Sequence, residues 1–235
     1  MLGFMSKSFS HVFAGIAKYQ NCFKELCASE EGQICTLKTT FEVWSSHQQL
    51  LILLVEKYLK AEIVQHSAVA NWMFSKDMAN ELSKSYVWEI LLATVKRQIK
   101  AVEICQKELD EAKDKQRKSE DGEEGIDEKD VPTEEVVEKL EEKLESAQSD
   151  QKNLFLIVFQ RFIMLLSEHI QSCESQGKTF KNYWFRWMIG RLQQMFFEHH
   201  EHVFKYVSTL ESLLFTPDVD QHILMIFRQF CSLRS

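Results

Sequence analysis

The chain has 235 residues, 45% of them hydrophobic and 11% aromatic, with a formal net charge of -7. That length and apolar content bury a core and exclude a disordered or fibrous chain. Only two prolines and seven glycines occur, and no stretch alternates apolar and polar residues between turn signals, so strands have no support and the fold class is all-α.

Phe9, Phe13, Ile16, Ala17 and Phe23 mark one face of a first helix, which Ser29 to Gly32 ends. Ile34, Leu37, Phe41 and Trp44 stripe a second, so the two form an antiparallel hairpin. Ser46 with Gln49 fits a capping box for a third helix, whose run Leu50 to Val55 is apolar on every side and therefore central. A fourth carries Ile63, Val64, Val69, Trp72 and Met73. The segment Phe74 to Leu82 reads as polar and turn-like, after which Tyr86, Val87, Ile90, Leu91 and Val95 begin a long helix.

That helix continues as a narrow seam of Val95, Ile99, Val102, Gln106 and Leu109, and a matching seam follows downstream at Val137, Leu140, Leu144, Ala147, Gln151 and Leu154. Between them lies SEDGEEGIDEKDVPT, where Gly122, Gly125 and Pro132 forbid a continuous helix, so the two seams fold back on each other. The expected result is a coiled-coil arm over 99–150 with an acidic loop at 119–132, carried by a body formed from 1–98 and 151–235. About 20 residues per arm helix, at about 1.5 Å each, would make the arm protrude by roughly 30 Å. Residues 107–150 hold 18 acidic and 8 basic side chains, a net of -10, which leaves the remainder at +3. Such an acidic tip, Glu120 to Asp130, reads as a solvated linker before it reads as a docking site.

From Leu154 to Leu166 the run LFLIVFQRFIMLL is apolar nearly all round, so other helices must enclose it. Gly177 ends this helix; Phe180, Tyr183, Trp184, Trp187, Met188, Leu192, Met195 and Phe196 stripe the next, and Val203, Phe204, Val207, Leu210 and Leu214 another. Thr216-Pro217-Asp218 reads as the start of a last helix bearing Ile223, Leu224, Phe227 and Phe230. Nine or so helices in successive antiparallel pairs make a HEAT-like stack of helical hairpins, an architecture of broad binding surfaces more than of catalytic clefts.

The six cysteines, Cys22, Cys27, Cys35, Cys105, Cys173 and Cys231, form no C-x-x-C pair and lie in helical patterns, as expected of buried thiols in the cytosol or nucleus. Lys7, Ser8, Ser10 and His11 interrupt the first residues, so they lack a signal-peptide core, and no uncharged apolar run of about 18 residues offers a membrane span. Glu198-His199-His200-Glu201-His202 is the one cluster of metal-capable side chains, with Glu198, His199 and His202 at one-turn spacing. Its order is not H-E-x-x-H and it has no nearby cysteine, so a solvated helix end is the expectation, and no metal, cofactor or catalytic residue is assigned. A metal-dependent hydrolase using His199, His200 and His202 is the weakest of three functional readings. Trp184 and Trp187 share a face that continues into Met188, Leu192 and Met195, which favours core packing over a base-stacking platform. There is no phosphate loop, nucleophile elbow, basic stripe or RNP-like strand motif, so direct RNA binding is not expected to dominate.

The segments FEVWSSHQQLLILLVEKYLK, VANWMFS, YVWEILLATV, ESAQSDQKNLFLIVFQRFIMLLSEHI, RLQQMFFEHH and TLESLLFT together resemble the carboxy-terminal third of large subunits of the eukaryotic nuclear cap-binding complex. The resemblance runs in the same order over most of the chain. It implies the third helical domain of the type found in the middle of translation initiation factor four-G, serving as a non-enzymatic scaffold in the nucleus, with shuttling of the full complex. It also implies a small RRM subunit as partner, which itself grips the 7-methylguanosine cap of mRNA, so capped RNA is met only indirectly. Factors for splicing, export, decay and the first round of translation would be recruited by the assembly. Two preceding domains and an amino-terminal nuclear localisation signal of that family are not found in this sequence, which is expected to be a fragment or truncation. The competing reading is a free-standing helical adaptor that meets a basic partner through its acidic arm.

Overall fold

Phe155, Val158, Phe159, Phe162, Leu166 and Ile170 are all buried, and the helix that carries them is the axis of the larger part of the molecule. The computed structural model describes residues 9–120 and 131–234, and every regular element among them is helical. In order these are α1 (Phe9–Lys18), α2 (Gln20–Leu26), α3 (Glu30–Trp44), α4 (Gln48–Lys60), α5 (His66–Met73), a short 3-10 turn (Lys76–Met78), α6 (Ser85–Glu120), α7 (Glu134–Ser175), α8 (Tyr183–Glu198), α9 (His200–Lys205), α10 (Val207–Leu213) and α11 (Gln221–Ser232). The fold is an all-α stack of helical hairpins. It divides into a larger unit, Met1–Thr94 with Leu154–Ser235, and a smaller one, Val95–Asn153. Both α6 and α7 run through the sequence of each.

In the larger unit the aromatic residues of α7 meet both halves of the chain. Phe162 lies 5.2 Å from Phe74 and 5.6 Å from Trp88 between ring centroids, while Phe159 stacks at 4.6 Å on Phe196 and meets Phe215 edge-on at 6.2 Å. Such pairs add about 0.5–1.5 kcal/mol each beyond the area they bury. Part-buried Arg161 closes the same interface, donating through Nε and Nη2 to Asn71 Oδ1 at 3.1 and 2.9 Å. By composition α7 is long and apolar enough to cross a membrane. One face of the stretch, Phe155, Val158, Phe159, Phe162 and Leu166, is buried against other helices, as in a core helix, but Leu156, Ile157, Ile163 and Leu165 are half-buried and Met164 is 43% exposed, so the all-round enclosure expected from the sequence is not reached.

Several local expectations need correction. Tyr19 and Tyr206 each break what the apolar stripes present as one helix, giving α1 with α2 and α9 with α10. The Ser46 and Gln49 capping box does not form, because Ser46 Oγ lies 2.9 Å from His47 Nδ1 and α4 starts behind His47. Pro217 and Asp218 occupy a turn; α11 opens at Gln221, where Asp220 Oδ1 accepts from the His222 backbone N–H at 2.8 Å. Phe74, Met78 and Leu82 are buried, so the segment between α5 and α6 is a turn pinned by three apolar anchors. Two of the cysteines, Cys22 and Cys35, are exposed. Gly177 does end α7, at φ +64°, with the Lys178 N–H returning to Cys173 O at 2.9 Å.

The smaller unit is an antiparallel helical pair. Gln98 Nε2 donates to Ala147 O at 3.0 Å, Lys143 Nζ to Glu108 Oε2 at 2.7 Å, and Gln116 Nε2 to Pro132 O at 2.9 Å, so one partner number rises as the other falls. Its seam is Val102, Cys105, Leu109, Ala112, Val137 and Leu144, with Leu140 and Ala147 packed against it. Cys105 therefore replaces Gln106, which is exposed and donates to Asp110 at 2.9 Å. The acidic stretch Glu120 to Asp130, apart from the helical backbone of Glu120, lies outside the described residues, as do Met1 to Ser8.

Candidate functional site

The histidine cluster falls on the junction between α8 and α9, and the junction separates its members. His199 leaves helical geometry, at φ -120° and ψ 26°, and is only 4% exposed, its ring 6.2 Å from that of Phe155. His200 is exposed, with Nδ1 3.0 Å from Phe197 O, and His202 is half-buried. The expectation of a solvated helix end thus holds for His200 and fails for His199, which the chain break turns into the core. Among the described residues no three His, Cys, Asp or Glu side chains come together as a metal site. His199→Ala is expected to lower stability by about 1–3 kcal/mol, whereas His200→Ala should stay within about 0.5 kcal/mol. Urea denaturation of the two variants side by side checks this.

Trp184 and Trp187 are both half-buried, and each has one face covered. The His169 ring lies 4.5 Å from Trp184, and the Arg191 guanidinium 4.3 Å over Trp187 and 5.4 Å from Trp88. Burial holds the Arg191 pKa below its ordinary value. Two indole N–H groups converge on one carbonyl: Trp88 Nε1 donates to Leu82 O at 2.7 Å and Trp187 Nε1 to the same oxygen at 3.0 Å. A carbonyl oxygen has two lone pairs, and here both are used. Beside it, the Tyr86 hydroxyl donates to Glu81 Oε2 at 2.5 Å, which with burial pushes the phenol well above its usual range. This knot ties the turn after α5 to α8. Its tryptophans are spent on structure, so they form no open platform for bases. Met188, Leu192 and Met195 on the same helix are fully buried.

Two grooves flank α11. On one side Gln221, Leu224, Met225 and Arg228, at helical spacing, line a groove of about 570 Å³ with Pro217 and His222. On the other, Ile226, Gln229, Phe230 and Leu233 face Gln193, Phe196 and Phe197 of α8 across a groove of about 300 Å³. Phe197 is 53% exposed, Leu233 62% and Met225 52%. No carboxylate lines either groove. Hydrophobic periodicity finds the inward stripe of α11, including Leu224 and Phe230, but not the exposed Met225 and Leu233.

These features define a class: an all-α stack of helical hairpins. Over residues 2–205 the chain matches the family described as MIF4G like, and it belongs to that family. Among curated relatives it is 49% identical over 259 residues to nuclear cap-binding protein subunit 1 of Aedes aegypti, covering 100% of this chain and 32% of that protein. It is 51% identical over 255 residues to the protein of the same name in Anopheles gambiae (100% and 31%), and 45% over 241 residues to nuclear cap-binding protein subunit 1-B of Xenopus laevis (100% and 30%). The chain spans about a third of the length of the curated relatives it matches.

Proposed function

We propose that this chain is a scaffold region of the large subunit of a nuclear cap-binding complex, with no catalysis of its own. The observation that carries the reading is identity of 45–51% to proteins of that name along the whole chain. In this reading it works in the nucleus, helps order a small RRM subunit that grips the 7-methylguanosine cap, and recruits RNA-processing, export, decay and first-round translation factors. Residues 1–98 and 151–235 act as the docking body and 99–150 as an accessory coiled-coil arm. A second reading, an adaptor that meets a basic partner through the arm, is favoured by one observation: Glu134, Glu138, Glu142 and Glu145 form an exposed stripe on α7.

Fluorescence titration with a labelled cap analogue tests the leading reading. The chain alone should give a flat signal, and a mixture with the small RRM subunit should co-elute on size exclusion and bind the analogue. Saturable micromolar binding by the chain alone would overturn it.

A further inference from the structure

We propose that the buried amides of Gln98 and Gln151 are a register lock for the smaller unit, selecting the one alignment in which α6 and α7 close on each other. The inference is independent of the cap-complex reading.

The apolar seam specifies little by itself. On α6 the seam positions Gln98, Val102, Cys105, Leu109 and Ala112 step four, three, four, three, and on α7 Val137, Leu140, Leu144, Ala147 and Gln151 step three, four, three, four. That rhythm repeats every seven residues, so sliding one helix past the other by seven, about 10 Å, again lays apolar side chains on apolar ones. Residues 121–133 join the two helices, and a connection of that length leaves the register open. The ion pairs across the unit, Lys143 with Glu108 and Lys113 with Glu141, join side chains that are each about half exposed, and such pairs contribute little.

The amides supply what the apolar residues lack. Gln151 is 1% and Gln98 5% exposed, and among the described residues of the smaller unit they are the only buried polar side chains. Gln98 Nε2 donates to Ala147 O at 3.0 Å, about one turn before Gln151 on α7, so the two amides stand at the same level of the seam. At the far end Gln116 Nε2 donates to Pro132 O in the same alignment. A slide of seven residues in one direction sets Gln98 against Leu144, and in the other it sets Gln151 against Cys105. Either way Gln98 loses the Ala147 carbonyl and amides are left buried among apolar side chains, where an unmet hydrogen bond is costly. Two leucines at these positions would fit any register. The pair thus gives up some seam stability for uniqueness, as a polar residue in the core of a coiled coil does. One register also means one surface: the acidic stripe of α7 lies beside a single fixed set of α6 side chains.

The test uses the whole chain, with spin labels on Lys100→Cys and Glu138→Cys, both exposed positions, in a background whose native cysteines are replaced by alanine and which is first shown by denaturation to be folded. Pulsed dipolar distances are recorded on samples frozen early in refolding from urea and at equilibrium. With Gln98 and Gln151 present, one distance is expected at both times. Gln98→Leu/Gln151→Leu should remain folded and resist urea at least as well. Its early samples should nevertheless show a second distance, displaced by up to about 10 Å, and its refolding should gain a phase about tenfold or more slower as the misaligned population reopens. Lys113→Ala/Lys143→Ala, which removes the surface pairs and keeps the amides, should give the single distance of the parent. A single early distance in the leucine variant would overturn the proposal, as would a second distance in the alanine variant, since the register would then reside in the apolar steps or in the surface pairs. Failure of the leucine variant to form the helical pair, read as lost exchange protection across 98–118 and 134–150, would overturn it too, because the amides would then serve formation and not selection.

Discussion

Replacing Phe159 with alanine is expected to destabilise the larger unit by about 3–5 kcal/mol, from lost transfer free energy plus the cavity left behind. The ring is fully buried and has aromatic neighbours on several sides: Phe155 at 6.1 Å, Phe196 at 4.6 Å and Phe215 at 6.2 Å. Phe196 and Phe215 in turn pack on Phe227, at 6.0 and 4.0 Å. A ring wedged in such a network leaves neighbours that cannot all collapse into its space. Chemical denaturation with an unchanged slope and a lower midpoint is the expected readout. A loss below about 1 kcal/mol would mean that the site relaxes freely and that the core lies elsewhere.

The second large effect is expected in the smaller unit. Leu109 is 5% exposed in a seam of only six buried residues, and Leu109→Asp would place a carboxylate among Val102, Cys105, Ala112 and Val137. An ionised group there has no cation to pair with inside the seam, and burying it costs several kcal/mol. A two-helix pair has little reserve against such a term, so the seam should open locally while the larger unit stays folded. Hydrogen exchange should show amides across 98–118 and 134–150 losing about a hundredfold of protection, the equivalent of roughly 2.7 kcal/mol. Amides of α8 and α11 should remain unchanged. Uniform loss of protection throughout both units would show that they unfold as one.

The parts of this architecture that were legible in the sequence are those where one residue type decides the outcome. The run LFLIVFQRFIMLL reads as a core helix, and its Phe155, Phe159 and Phe162 face is buried although Met164 on the other side is exposed; Gly177 could adopt the left-handed turn at the end of that helix without strain. The misreadings fall where two local solutions are nearly equal. Gln106 and Cys105 both continue a three-four rhythm, and the smaller thiol takes the seam while the amide finds Asp110. Thr216 and Asp220 can each precede a helix start, and Asp220 is the one that caps α11. His199 is the hardest case. A polar string such as Glu198 to His202 gives no sign that the backbone will break inside it and send one imidazole against Phe155. The shared Leu82 carbonyl lies 105 residues from Trp187 and has no local signature.

The larger unit is discontinuous, since residues 95–153 interrupt it, and that has a kinetic meaning. Before Phe162 can find Trp88 and Phe74, or Trp187 can find Leu82, the chain must close loops of 74, 88 and 105 residues, an ordering penalty that grows as the logarithm of the loop. The smaller unit consists of contacts between neighbouring stretches of α6 and α7, the kind that form in microseconds. If it forms first, it delivers Thr94 and Leu154 together and reduces the search by the distant halves to a short-range one. The inserted hairpin then acts as a folding clip, and weakening its seam should slow refolding of the larger unit even where the native stability of that unit is untouched.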